Sequence, residues 1–211
     1  GRTRDRIKLY INAWAHQGMS PEEYADAARA VLPLGVQGLK LNPWGSRPGI
    51  DFYRLENNIL NTGAEAVGAV REAVGPDFDI HIDCNGIFNT VGNAVRAAKA
   101  VEEYNITFFE EPVPHENIEA MAYVRRKINI PVATGERLFT IFGFQKLLAC
   151  GGADVIQPDM SHCGGMLEAR KIAAMADAHY VAFAPHNPNG EVSYASAVQM
   201  AACVPNFLSL E

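Results

Sequence analysis

The sequence lacks a surplus of positive charge, a CxxC pair, and any apolar run long enough to span a bilayer. Lys and Arg number 18 against 24 Asp and Glu, for a net charge of −6. With no basic cluster, that balance argues against a nucleic-acid partner and against an anionic membrane surface. The first residues, Gly1 to Arg6, are too charged for a secretory leader. The four cysteines (Cys84, Cys150, Cys163, Cys203) are scattered, which speaks against structural zinc and against a small disulfide framework. They read as buried free thiols in a reducing cytoplasm. A G-x-G-x-x-G loop is also missing, so nothing marks a dinucleotide-binding sheet.

What is present suits one sizeable globular domain: 211 residues, 48% hydrophobic and 20% charged. Short apolar runs predict strands at 7–14, 35–44, 78–85, 106–112, 130–136, 153–159, 180–186 and 206–211. Amphipathic patterns separate them. The clearest begins at Ser20, a capping residue followed by Pro21 in the first helical position and Glu23 as the far half of a capping box. Gly35 is its stop signal. Further helices are predicted near 62–75, 89–104, 116–128, 142–152, 164–179 and 192–204. Regular β-α alternation implies a parallel sheet covered by helices. The expected fold is α/β, a (β/α)7β-type TIM barrel whose eighth strand ends at Glu211. A complete barrel takes roughly 250 residues, so residues 1–211 read as the barrel domain of a longer protein.

Active sites of such barrels sit at the C-terminal ends of the strands. Read in order, those ends are Trp14, Lys40/Asn42, Asp83/Asn85, Glu110/Glu111, Glu136, Asp159, His186 and Glu211. Acidic residues are depleted in strands, yet here they close five of the eight. Carboxylates converging on one mouth repel each other, and their pKa values rise unless a cation neutralises them. Mg²⁺, a hard ion with oxygen ligands, fits that need. Asp83, Glu110 and Glu136 lie 27 and 26 residues apart, about one βα unit each, so they belong to adjacent strands. Strand alternation places Asp83 and Asn85 on one face. It also turns Glu110 inward, and Glu111 either toward the rim or onto a cation such as Arg137.

Asp159 and His186 end neighbouring strands, where the carboxylate would fix the imidazole tautomer and raise its basicity. Lys40 reads as a binder of carboxylates. The remaining histidines (His16, His81, His115, His162, His179) read as surface or loop residues, and Trp14 and Trp44 as core or rim packing. Asn187 and Asn189 either touch substrate or build a turn.

Together, "DCN", "FFEEP", "ATGER", "IQPDMSHCGG" and "APH" resemble the barrel domain of the enolase superfamily in its mandelate racemase-like branch, across nearly the whole chain. The resemblance implies that Asp83, Glu110 and Glu136 bind Mg²⁺, which chelates a substrate carboxylate and stabilises an enediolate. It implies the Asp159–His186 dyad as acid/base machinery at the substrate α-carbon. Glu211 matches an acidic group beside the substrate carboxylate and, if protonated, would donate a hydrogen bond to the enediolate. Racemases of the branch carry K-x-K on the second strand; "KLN" puts Asn42 at the second lysine, and an amide cannot take a proton. "KLN" resembles instead the galactonate-type sugar-acid dehydratases. Those often carry D-x-H on the third strand, where Asn85 stands here. Lys40, Asn42 and Asn85 are therefore expected to bind substrate. The leaving-group proton comes either from His186 or from a residue outside this chain. The resemblance further implies an N-terminal capping domain, a small sugar-acid substrate and a homo-oligomer. One-base epimerases or cycloisomerases, and a silent metal-binding barrel, are the competing expectations.

Overall fold

Ser20 starts the first helix as predicted. Its hydroxyl accepts from the Glu23 backbone N–H, while the Glu23 carboxylate accepts from the Ser20 N–H. Such a box satisfies two donors that every helix start leaves open. The computed structural model describes residues 1–16, 18–45 and 49–211. Helix α1 (Pro21–Val31) runs into a short 3-10 turn that stops at Gly35, whose φ of 75° lies in the left-handed region glycine tolerates. The remaining helices are α2 (Asn57–Val74), α3 (Val91–Val101), α4 (Ile118–Arg125), α5 (Thr140–Ala149), α6 (Met166–Ala178) and α7 (Glu191–Cys203). Among the described residues, no helix is long and apolar enough to cross a membrane.

Between the helices the described residues form seven strands: β1 (Tyr10–Ile11), β2 (Gly38–Leu41), β3 (Asp79–Asp83), β4 (Phe108–Glu110), β5 (Val132–Thr134), β6 (Val155–Ile156) and β7 (Ala182–Phe183). They pair in chain order and in parallel, forming one curled sheet. The predicted eighth strand is a segment held by isolated bridges, Phe207 beside Phe183 of β7 and Leu210 beside Leu9 next to β1. Backbone bonds tie it to both edges: Phe183 N–H donates to the Asn206 carbonyl (2.8 Å), and Tyr10 N–H to that of Leu210 (3.0 Å). The fold is thus α/β and barrel-like.

Apolar side chains sort into layers accordingly. Trp44, Val67, Ile80, Ile82, Phe88 and Phe109 pack between sheet and helices on one side, and Phe144, Ile156, Ile172 and Phe183 on the other. Inside the curl lie Tyr10, Phe108, Ala133, Val155 and Ala184. Trp44 is core packing, as expected. All four cysteines are free, but only Cys84 and Cys163 are buried; Cys150 is half-buried and Cys203 exposed, which corrects the expectation of uniform burial.

Candidate active site at the strand ends

The parallel register carries the predicted residues to one end of the sheet. Asp83 and Glu110 are directly paired at the ends of β3 and β4. Lys40, in β2, is buried to 1% exposure, which excludes a surface lysine. Its Nζ lies 3.0 Å from Glu110 Oε1, 2.8 Å from Glu211 Oε1 and 3.8 Å from Asp83 Oδ2. Burial alone would depress this amine's pKa, but Glu110, Tyr10, Glu211 and Asp83 together hold it well above the usual value. The same ammonium acts on its partners. Burial pushes Glu211 up, but Lys40 and the Asn187 N–H (2.9 Å) outweigh it and hold this carboxylate below its ordinary range. In this arrangement Glu211 accepts from Lys40 and from the Asn187 N–H. Burial and Asp83 push Glu110 well up against the opposing pull of Lys40, and burial raises Asp83 likewise.

Across the mouth, His186 Nδ1 lies 2.9 Å from Asp159 Oδ2, the predicted dyad. Asp159 Oδ1 accepts from Ser161 N–H (2.7 Å), and Asn189 Nδ2 donates to Oδ2 (2.7 Å). Burial raises Asp159, but these bonds prevail and lower it, so it stays an anion. Burial lowers His186, yet the Asp159 bond, Glu136 and Glu211 carry the imidazole above its usual pKa. Its Nε2 faces the carboxylates, 3.2 Å from Glu136 Oε2. The arrangement is an oriented base aimed at a cluster of negative charge.

Asn85 reaches Asp83 by a different route from the one alternation predicted. Strand β3 ends at Asp83, and Asn85 sits in the left-handed region at φ 51°. From that turn its N–H donates to Asp83 Oδ1 (2.8 Å) and its Nδ2 to Oδ2 (2.9 Å). Asn42 lies just past β2, where its side chain accepts from Gly45 N–H (2.9 Å). Glu111 is fully buried and not at the rim; it pairs with Arg137 (3.2 Å), the other predicted outcome. Lys40, Asn42, Asp83, Asn85, Asn12 and Tyr24 line a cavity of about 260 Å³.

Residues 23–211 match the model of the enolase C-terminal domain-like family. The chain belongs to that family. Among curated relatives of this enolase-like chain, the D-gluconate dehydratase of Thermoproteus tenax is 39% identical over 211 residues, covering 100% of the chain and 41% of that protein. The D-xylonate dehydratase of Haloferax volcanii is 35% identical, covering 100% and 52%. The chain thus spans about half the length of the curated relatives it matches. A solved member of the enolase superfamily from Salmonella Typhimurium superposes with a TM-score of 0.94 at 32% identity, covering 100% of this chain and 57% of that one.

Enolase superfamily members generally use Mg²⁺, and the donor chemistry here fits such an ion. Asp83, Glu110 and Glu136 supply oxygen only, and buried Glu110 Oε2 has no hydrogen-bond partner. Among the described residues, however, no three acidic, His or Cys side chains are already gathered tightly enough to hold a metal. Each expected ligand is engaged by a protein donor instead: Asp83 by Asn85, Glu110 by Lys40, Glu136 by Arg137 and His186. Sequence reasoning missed Asn12, whose Nδ2 donates to Glu211 Oε1 (2.8 Å), and it misplaced His81. That histidine is fully buried inside the sheet, stacked on Phe108 (4.1 Å between centroids) and edge-on to Tyr10. The available signal was the alternation itself: what turns Asp83 inward turns His81 inward too.

Proposed function

We propose that this domain belongs to a Mg²⁺-dependent sugar-acid hydro-lyase. The reaction removes the proton α to a carboxylate and expels the β-hydroxyl as water, leaving an enol that tautomerises to a 2-keto-3-deoxy acid. The observation that carries this reading is His186, held at Nδ1 by Asp159 (2.9 Å) with Nε2 turned into the carboxylate cluster. The kinship with gluconate and xylonate dehydratases supports it. In this reading Asp83, Glu110 and Glu136 hold the metal, which when bound supplies positive charge to the substrate carboxylate and the enediolate.

His186 Nε2 takes the C2 proton. Asp159 anchors Nδ1–H and stabilises the imidazolium that forms. The departing hydroxide then needs a proton on the same side, and imidazolium Nε2–H supplies it, making the elimination syn. Lys40, Asn42 and Asn85 line the cavity offered to the sugar acid. The bridges through residues 206–211 support closure as a (β/α)7β barrel. The remaining expectations, a capping domain over the mouth and a cytoplasmic homo-oligomer acting on small molecules, belong to the same proposal.

Proton NMR of the full-length protein with Mg²⁺ and a panel of sugar acids in D₂O tests it. Loss of the C3 hydroxyl with a deuterated C3 methylene is the expected result. Exchange at C2 without elimination replaces it with the epimerase reading. No exchange across the panel despite bound Mg²⁺ leaves a binding barrel.

A further inference from the structure

We propose that Arg137 is a positioning residue that sets how Glu136 and Asp83 present their oxygens to a divalent cation, acting on Asp83 through Asn85. The inference rests on the reading above, in which both carboxylates are ligands. Arg137 Nη2 lies 2.9 Å from Glu136 Oε1 and 3.4 Å from Asn85 Oδ1, while Nη1 lies 3.2 Å from Glu111 Oε2. Glu111 is the fixed end of this line. It is fully buried, and its Oε1 accepts from Thr134 Oγ1 (2.5 Å) and Gly135 N–H (2.9 Å). A buried carboxylate needs a counter-charge, and a planar guanidinium can serve it and two further acceptors at fixed angles.

The consequence falls on the expected ligands. With Oε1 of Glu136 engaged by Arg137, Oε2 is the oxygen turned toward the mouth, where it faces His186 Nε2 (3.2 Å) and is the one offered to a cation. Asn85 occupies one acceptor site on each Asp83 oxygen, and Arg137 orients that amide by taking its Oδ1. One N–H and the oxygen of the Asn85 amide are therefore engaged inside the protein. That explains an amide where the family's dehydratases often carry histidine: here the position supports a ligand and leaves proton transfer to His186. Asn85 (φ 51°) and Glu111 (φ 42°) both adopt left-handed backbone, a conformation side-chain-bearing residues keep only when their surroundings impose it.

The test is Mg²⁺ binding to the full-length protein without substrate, by titration calorimetry, with Mn²⁺ as a paramagnetic probe. Wild type is compared with Arg137→Met, Arg137→Lys and Asn85→Gly, each checked for folding by circular dichroism in EDTA. Arg137→Met should lose about 10–100-fold in affinity, the usual scale for an outer-shell partner. Arg137→Lys should not rescue it, because a point charge cannot span the three acceptors. Asn85→Gly keeps the left-handed turn and the N–H to Asp83 and should lose less. The spectrum of bound Mn²⁺ should change in all three, a signature that a merely structural role would not move. Folded variants with wild-type affinity and an unchanged spectrum overturn the inference while leaving the ligand assignment standing. A wild type that binds no Mg²⁺ overturns the assignment, and the inference with it. Should Arg137→Met fail to fold, Arg137→Lys and Asn85→Gly decide.

Discussion

His186 must be neutral to accept a proton, so the sign of its pKa shift fixes the acid limb of the reaction. Burial lowers that pKa, while the Asp159 bond, Glu136 and Glu211 raise it above the ordinary value of about 6.5. A cation at the carboxylates would offset Glu136 and Glu211 but leave the Asp159 bond in place. The kcat/KM profile at saturating Mg²⁺ should therefore fall as pH drops through the His186 pKa, at a lower pH than that at which His186 titrates in the metal-free protein. Asp159→Asn removes the bond that raises the pKa, so its limb should move to lower pH. The variant should also lose about 10²–10⁴-fold in kcat, the range of a misoriented acid/base group. A limb that stays put would mean another residue titrates. His186→Asn should abolish C2 exchange altogether, measured as deuterium uptake in D₂O.

At the scale of elements, the local codes that start and stop helices are independent of the site, and substitutions there should read out as stability alone. Ser20→Ala removes the hydroxyl half of the capping box and should cost about 1 kcal/mol in urea unfolding. Two helix glycines make a sharper pair. A Cβ at Gly63, in α2, would run into the Trp44 indole, whereas one at Gly92, in α3, meets nothing within 4 Å. Gly63→Ala should cost about 1–3 kcal/mol by overpacking, and Gly92→Ala should gain about 0.5–1 kcal/mol from helix propensity. Equal effects at the two sites would mean the Trp44 contact is not rigid. The same separation of local from tertiary causes decides what could be read from the sequence. Caps, periodicity and β-α order are local, and α1, the other helices and the strand order followed them. Strand extents did not: residues 7–14 are apolar enough for a strand, but only Tyr10–Ile11 are paired in one, because the chain turns at Ala13 with φ 54°. Asn85 shows the same limit, since nothing in "DCN" announces a left-handed turn after Asp83. The carboxylates and the dyad were legible because each lies at the end of a strand or bridge or within three residues after it. The Glu111–Arg137 pair was legible too, but the engagement of Glu110 and Glu211 by Lys40 and of Glu211 by Asn12 was not, because those partners come from other elements.

Lys40 links the scale of the site to that of the whole molecule, because its one ammonium joins β2 to Glu110 of β4 and to Glu211 of the segment that bridges β7 and β1. Replacing it with methionine keeps the volume and removes the cation that lies among Glu110, Glu211 and Asp83. Breaking a buried pair from one side costs about 3–5 kcal/mol, since the partner charges stay buried. Burial and Asp83 already hold the Glu110 pKa well above that of an unfolded chain, against Lys40, and without Lys40 it rises further. The folded state then binds more protons than the unfolded one, so stability falls as pH rises toward the folded pKa and is recovered on acidification. Lys40→Met should accordingly unfold at lower temperature than wild type at about pH 8 in EDTA, with the gap narrowing toward about pH 5. If the carboxylates hold Mg²⁺, the ion restores the lost positive charge, and its addition should raise the melting temperature more in the variant than in wild type. A variant as stable as wild type in EDTA at the higher pH would mean these carboxylates are already protonated, and the electrostatic account of the interior would fail. A deficit that acid repairs and Mg²⁺ does not would keep that account and place the ion elsewhere. Differential scanning calorimetry of the two proteins, with and without Mg²⁺ at the two pH values, separates these outcomes.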